Sequence, residues 1–184
     1  MTTTIAEGAR VAPRTVRPAS PRAVWFRVLF TACFGIAILH AFVVQVSVVR
    51  GHSMEPSLHD GDRLVVDRVG PALAGVARFD VVILANPRDP SVDYVKRIAG
   101  LPGDVISLHD GALCIDGCPI PQDFGPVPDR ADFDPLIVPA GHVFVLGDNR
   151  PISCDSREFG LVPVALLRGT VRARFWPLDR VALF

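Results

Sequence analysis

The chain has 184 residues, a formal net charge of zero, 17 prolines and 15 glycines. That length holds one domain with a real core plus an appendage, and the Pro and Gly content favours short strands and turns over a helical bundle. Zero net charge excludes nucleic-acid binding driven by bulk charge, and the lack of a fixed repeat excludes a solenoid. One lysine, Lys96, stands against 18 arginines. Arg and Lys exchange freely on surfaces but not where a neutral amine is needed, because guanidinium stays protonated. Lys96 is therefore a candidate for a site that demands deprotonation; the other reading is a leftover surface lysine.

Residues 1–22 are rich in Pro, Thr and Arg, poor in large apolar residues, and read as a disordered arm. Five arginines (Arg10, Arg14, Arg17, Arg22, Arg27) precede an apolar run, against one acid, Glu7. Residues 28–49 carry no formal charge over 22 positions, which as a helix is about 33 Å, enough for a bilayer core. The arginine excess puts its N-terminal side in the cytoplasm. The run is long for a cleaved secretory signal, and no small-x-small cleavage site follows it. Residues 23–49 thus read as an uncleaved transmembrane anchor. Its helix begins around Ala23 to Trp25 and ends near His40, and its β-branched tail runs into a first strand. His40 reads as a packed or interfacial histidine rather than a proton relay.

Residues 50–184 read as an extracytoplasmic β-rich domain. It opens on Arg50-Gly51-His52-Ser53-Met54-Glu55-Pro56-Ser57-Leu58, where Ser53 lies between a Gly and a Met-x-Pro, a poor setting for a helix and a good one for an exposed strand end. A serine nucleophile there needs a base, since its hydroxyl is weak at neutral pH, and Lys96 is the candidate. Strands are expected at 62–69, 80–84, 93–98, 105–108, 112–115, 118–120, 142–146 and 169–175. Loops are expected at 70–77 and 122–135, and one helical turn within 162–167. The final 181–184 is too short for a second span.

The four cysteines offer no C-x-x-C pair beside a His cluster, so no metal site is expected. Cys114 and Cys118 flank Ile115-Asp116-Gly117. A three-residue turn places them opposite each other and permits a disulfide; a two-residue Asp-Gly turn puts them on opposite faces and forbids it. Cys33 lies in the apolar run and Cys154 is left over.

Four stretches then stand in order after one anchor: G-H-S-M-E-P-S-L (51–58), G-D-R-L-V-V-D-R-V (61–69), D-Y-V-K-R-I-A-G-L-P-G-D (93–104) and G-D-N-R-P-I-S-C-D-S-R-E-F-G (147–160). In these the chain resembles the bacterial type I signal peptidases (leader peptidases), membrane-anchored serine proteases with a Ser/Lys dyad. The resemblance runs from about Phe42 to Trp176, broken between Leu108 and Pro139. It implies a mostly β, antiparallel protease domain on the outer face of the plasma membrane, behind a single N-terminal transmembrane helix. It implies Ser53 as nucleophile, Lys96 as general base, and Ser153 as the hydroxyl that orients the amine. Asp155 and Arg157 match a supporting ion pair, and Asp148, Asn149 and Arg150 a tight turn holding that segment.

The implied substrate is the signal peptide of an exported preprotein, bound as an extended strand with small side chains at the first and third positions before the cut. Val48, Val49, Arg50, Tyr94 and Val95 border that strand, which backbone pairing holds in register. Partners are then signal peptides and membrane lipid, with no nucleic acid, cofactor or metal. Burial depresses a lysine pKa, and Val95, Ile98 and the nearby bilayer are the expected apolar surroundings. Two departures matter. Ser57 stands where the family usually has Thr. Gly51 replaces a serine that donates to the oxyanion in one branch, leaving the Ser53 backbone N–H as the donor. His52, beside Ser53 on a strand, would face the other way and so is not the base. The competing readings are a related Ser/Lys autoprotease and a non-catalytic, membrane-tethered β domain that binds exported chains.

Overall fold

The short apolar strands pair antiparallel, some with their sequence neighbours and some with strands far along the chain. The computed structural model describes residues 21–184, with the side chains of residue 23 and residues 39–42 outside that description. In chain order the elements are α1 (Pro21–Phe42), β1 (Val44–Val48), β2 (Arg63–Asp67), α2 (Gly70–Ala74), β3 (Val81–Ala85), β4 (Asp93–Gly100), β5 (Val105–His109), β6 (Ala112–Ile115) and β7 (Cys118–Pro119). There follow β8 (Phe133–Ile137), β9 (His142–Leu146), α3 (Ser156–Phe159), β10 (Val162–Pro163), β11 (Leu167–Trp176) and β12 (Ala182–Leu183). The chain divides into two compact units between Ala37 and Ile38.

The first unit holds most of α1. Its described side chains from Val24 onward are exposed, Trp25, Phe26, Leu29 and Phe30 among them. Phe26, Phe30 and Phe34 stack one turn apart, with ring centroids 6.5 and 6.1 Å from each other. Over the described side chains no helix is long and apolar enough to cross a membrane. The arm expected over residues 1–22 lies outside the described residues, except that Pro21 and Arg22 open α1; the side chain of His40 also lies outside them.

In the second unit an eight-stranded sheet runs β1-β2-β11-β3-β4-β9-β10, with β12 paired to β11. A four-stranded sheet runs β7-β6-β5-β8. β3 is buried at all five positions, as a central strand covered on both faces must be. One core cluster gathers Val49, Met54, Leu58, Leu64, Val66 and Val171. A second gathers Ile106, Leu108, Leu113, Phe144 and Leu146 under the smaller sheet. Met54 and Leu58 belong to the Ser53 stretch, so that stretch is pinned by its own apolar residues.

Several expectations need correction. The loop at 70–77 contains α2. The Asp67 carboxylate accepts from the Val69 and Gly70 N–H groups, and Pro71 supplies a helical φ. The loop at 122–135 gives way to β8 at Phe133. Pro135 fits there because β8 is a sheet edge, where a missing N–H costs no ladder bond. The helical turn expected within 162–167 is present as a 3₁₀ turn, Val164–Leu166, with β10 before it. α3, the 3₁₀ turn Leu178–Arg180 and β12 were not anticipated.

The cysteine question also closes. Asp116 and Gly117 have φ of 53° and 78°, the conformation of a two-residue hairpin turn. Ile115 therefore pairs with Cys118 and Cys114 with Pro119. Cys114 is buried and Cys118 exposed, so they face opposite ways, and all four cysteines are free.

Candidate active site

Ser53 lies not on a strand end but on a turn between β1 and β2. The turn makes helix-like bonds, Glu55 N–H to His52 O at 3.3 Å and Leu58 N–H to Met54 O at 2.9 Å. Its ends are tied by Val49 N–H to Asp62 O at 2.8 Å and Gly61 N–H to Val49 O at 3.0 Å. Among the described residues no acceptor takes the Ser53 N–H, which leaves it free to donate.

β4 brings Lys96 to this turn. Lys96 pairs with Val82 of β3, is 3% exposed, and its Nζ donates to Ser53 Oγ at 2.8 Å. Burial pushes its ammonium down from its ordinary value to about 8, against the opposing pull of the Asp155 carboxylate. Nζ also sits 5.3 Å from the Tyr94 ring centroid.

The dyad opens onto a cleft of about 330 Å³. Val48, Val49 and Arg50 line it on one side and Tyr94 and Val95 on the other, so all five expected border residues meet there. The expected apolar surroundings are partly revised. Val95 lines the cleft, but Ile98 packs into a separate cluster with Val82 and Val145, and Met54 and Ile83 line the cleft instead.

His52 does not serve Ser53. Its Nδ1 pairs with Glu55 Oε1 at 2.8 Å, its side chain is 62% exposed, and the Glu55 hydrogen bond raises its pKa. The reason given from strand alternation was wrong, because there is no strand here; the turn itself aims His52 outward. Cys154 also lines the cleft. Burial and Glu158 push its thiol up, so it is a poor source of thiolate.

The segment after β9 closes on the turn from below. Asn149 N–H donates to Ser53 O at 3.0 Å and Asn149 Nδ2 to His52 O at 3.2 Å. Gly147 lies so near that a Cβ there would stand 2.5 Å from Ser53 O and 2.1 Å from Ser153 Oγ. Only glycine permits that approach. Asp155 is fully buried. It accepts from Gly147 N–H at 3.0 Å and from Arg157 at 2.8 and 2.9 Å, which places the expected ion pair under the site. Ser153 is brought to the same place, but its buried hydroxyl has no hydrogen-bond partner, so it does not contact the Lys96 amine directly.

Sequence reasoning missed Arg97. Its guanidinium grips Asp148 through Nε at 2.9 Å and Nη2 at 2.6 Å, so Asp148 is an ion-pair partner as well as a turn residue. The signal was present: two adjacent cations on a strand face opposite ways, and each, if buried, needs its own solution. Burial holds the Lys96 ammonium down at about 8, and Arg97 is paired with Asp148.

Residues 22–176 match the family described as signal peptidase, peptidase S26. Signal peptidase I of Bacillus licheniformis is 34% identical over 168 residues, covering 85% of this chain and 90% of that protein. Signal peptidase I of Bacillus caldolyticus is 36% identical, covering 83% and 91%. A solved signal peptidase I from Enterococcus faecalis V583 is 34% identical over 52% of this chain and 95% of that one, with a TM-score of 0.45.

Proposed function

The chain belongs to the signal peptidase family, peptidase S26, and from that premise we propose that it is a membrane-bound endopeptidase that removes N-terminal signal peptides from exported preproteins, with Ser53 as nucleophile and Lys96 as general base. It is a hydrolase of the serine peptidase kind. The observation that carries the assignment of roles is the 2.8 Å contact between Ser53 Oγ and a buried lysine amine at the floor of a cleft.

The preprotein segment before the cut lies extended between Val48–Arg50 and Tyr94–Val95. Covering the cleft excludes water from Nζ and favours the neutral amine further. Lys96 takes the Ser53 proton as Oγ adds to the scissile carbonyl. The Ser53 N–H donates to the oxyanion. The ammonium returns its proton to the leaving amine, and the signal peptide stays as an ester on Ser53. Lys96, neutral again, takes a proton from water as its oxygen adds to the ester, and the ammonium then returns that proton to the departing Ser53 Oγ. Ser153, Asp155, Arg157 and Asp148 hold the floor.

Detergent-solubilised enzyme incubated with a preprotein should yield a product shortened at its N-terminus, and Ser53→Ala should yield none. A shortened product from Ser53→Ala would sink the role of Ser53; no product from the wild type would favour a non-catalytic domain that binds exported chains.

The anchor belongs to the same proposal. α1 exposes apolar side chains along its described length and follows an arginine-rich segment. Residues 1–22 are then the cytoplasmic arm, the anchor of residues 23–49 crosses plasma-membrane lipid once through α1 and runs into β1, and residues 50–184 lie outside. Protease added to intact spheroplasts should digest the β-rich unit; its protection would refute this orientation.

A further inference from the structure

The floor of the dyad, residues 147–157, is itself held from behind by a stretch to which the motifs assign no role. Residues 122–129 lie where the resemblance is broken, yet three of them meet that floor and a fourth meets Arg97, which grips it. Gln122 Oε1 accepts from Arg150 Nη2. The Phe124 ring lies 4.0 Å from the guanidinium of Arg97, which grips Asp148. Val127 N–H donates to Asp148 O at 2.9 Å, and Val127 bridges Asn149. Asp129 Oδ2 accepts from Arg157 Nη1 at 2.5 Å.

Of the four, Asp129 is the charged one. A chain of contacts leads from it through Arg157 to Asp155, on to the Gly147 N–H, and so to the backbone packed against Ser53 O. Asp129 and Ser153 also share a cavity of about 420 Å³, and each leaves an oxygen without a partner, Asp129 Oδ1 and Ser153 Oγ. Asp129 does not line the Ser53 cleft. We propose that Asp129 is a positioning residue for the Ser53–Lys96 dyad, acting through Arg157 and Asp155 to hold Gly147 and Ser153 against the Ser53 turn. The inference rests on the dyad reading above.

Its electrical consequence has a definite sign. Arg157 lowers the Lys96 pKa and Asp155 raises it. Asp129 neutralises part of the Arg157 charge. Removing that carboxylate leaves more positive field on Lys96, so the amine loses its proton at lower pH.

The test is the pH dependence of preprotein cleavage by the full-length enzyme in detergent. Asp129→Asn should lower kcat about tenfold, as losses in supporting hydrogen bonds commonly do, with KM nearly unchanged. The acid limb of its profile should move to lower pH. Asp129→Glu keeps the charge and should recover most of kcat with the limb at the wild-type position. Asp132→Asn is the control: its carboxylate lines the same cavity but accepts from the Asp110 N–H at 2.9 Å, and it should behave as wild type. Asp129→Ser repeats the charge loss if the Asn variant does not fold. A wild type that cleaves, beside a charge-loss variant with unchanged kcat and limb, overturns this inference alone. A loss of kcat with the limb unmoved also overturns it, leaving Asp129 a fold residue. A wild type without Ser53-dependent cleavage overturns the dyad reading, and this inference with it.

Discussion

Lys96→Arg should be folded and should cleave preprotein at least about a hundredfold more slowly than the wild type. Removing a positioned general base commonly costs 10²–10⁴-fold. Arginine keeps the positive charge, but its group stays protonated, with a pKa above about 12. It cannot accept the Ser53 proton across the 2.8 Å contact that Lys96 makes. Were Lys96 only a cation in an ion pair, arginine would serve tolerably. The wild-type profile carries the complementary sign. Burial holds the Lys96 ammonium at about 8, and in the proposed mechanism the working form is the neutral one. Cleavage should therefore rise as pH climbs towards about 8 and level off above it. Substrate covering the cleft should move the limb seen in kcat below the limb seen in kcat/KM. A Lys96→Arg enzyme with more than a tenth of wild-type activity would end the dyad assignment. A limb that disappears in His52→Ala would return His52 to consideration.

What could be read beforehand follows the range of the interactions. Ser53 and Lys96 were legible because their local settings are odd: a serine before Met-x-Pro, and one lysine in an arginine-rich chain. The strands at 81–85, 105–109 and 142–146 were legible because short apolar runs and their bounding turns are local. The Ser53 turn was misread as a strand end because Gly51 and Pro56 exclude a long helix without saying which irregular path replaces it. The cysteine pairing stayed open because it hangs on Asp116, a residue other than glycine, taking φ of 53°. α2 hid because Asp67, upstream of it, supplies the bonds that start it. The brace at 122–129 could not be read at all. Its contacts join residues 28 positions apart, as from Asp129 to Arg157, and it has no periodicity to mark it.

The second large effect concerns stability rather than chemistry. Asp148→Ala should destabilise the protein by about 3–5 kcal/mol, the usual result of removing one partner of a buried ion pair. Asp148 is 1% exposed, and both its oxygens are taken by Arg97. Without it the guanidinium keeps hydrogen bonds to Phe79 O at 2.9 Å and to Ser57 Oγ at 3.2 Å, but no countercharge at its fork. Phe79 has φ of 70°, which is strained for a bulky side chain and persists only while its surroundings enforce it. Loosening Arg97 therefore also loosens Phe79. The melting temperature should fall by roughly 6–20 °C, taking about 2–4 °C per kcal/mol for a domain of this size. Replacing both partners, Arg97→Met with Asp148→Leu, removes the unpaired charge and should recover much of the loss, so the two substitutions should be strongly non-additive. Activity should not recover with it. The double variant lacks the Ser57 contact that ties the nucleophile's turn to β4, next to Lys96. Thermal unfolding with cleavage assays on Asp148→Ala, Arg97→Met, Asp148→Leu and the double variant separates these effects. A cost under about 1 kcal/mol for Asp148→Ala, or a double variant as unstable as the sum of its parts, would mean that the Arg97–Asp148 pair is not the anchor described here.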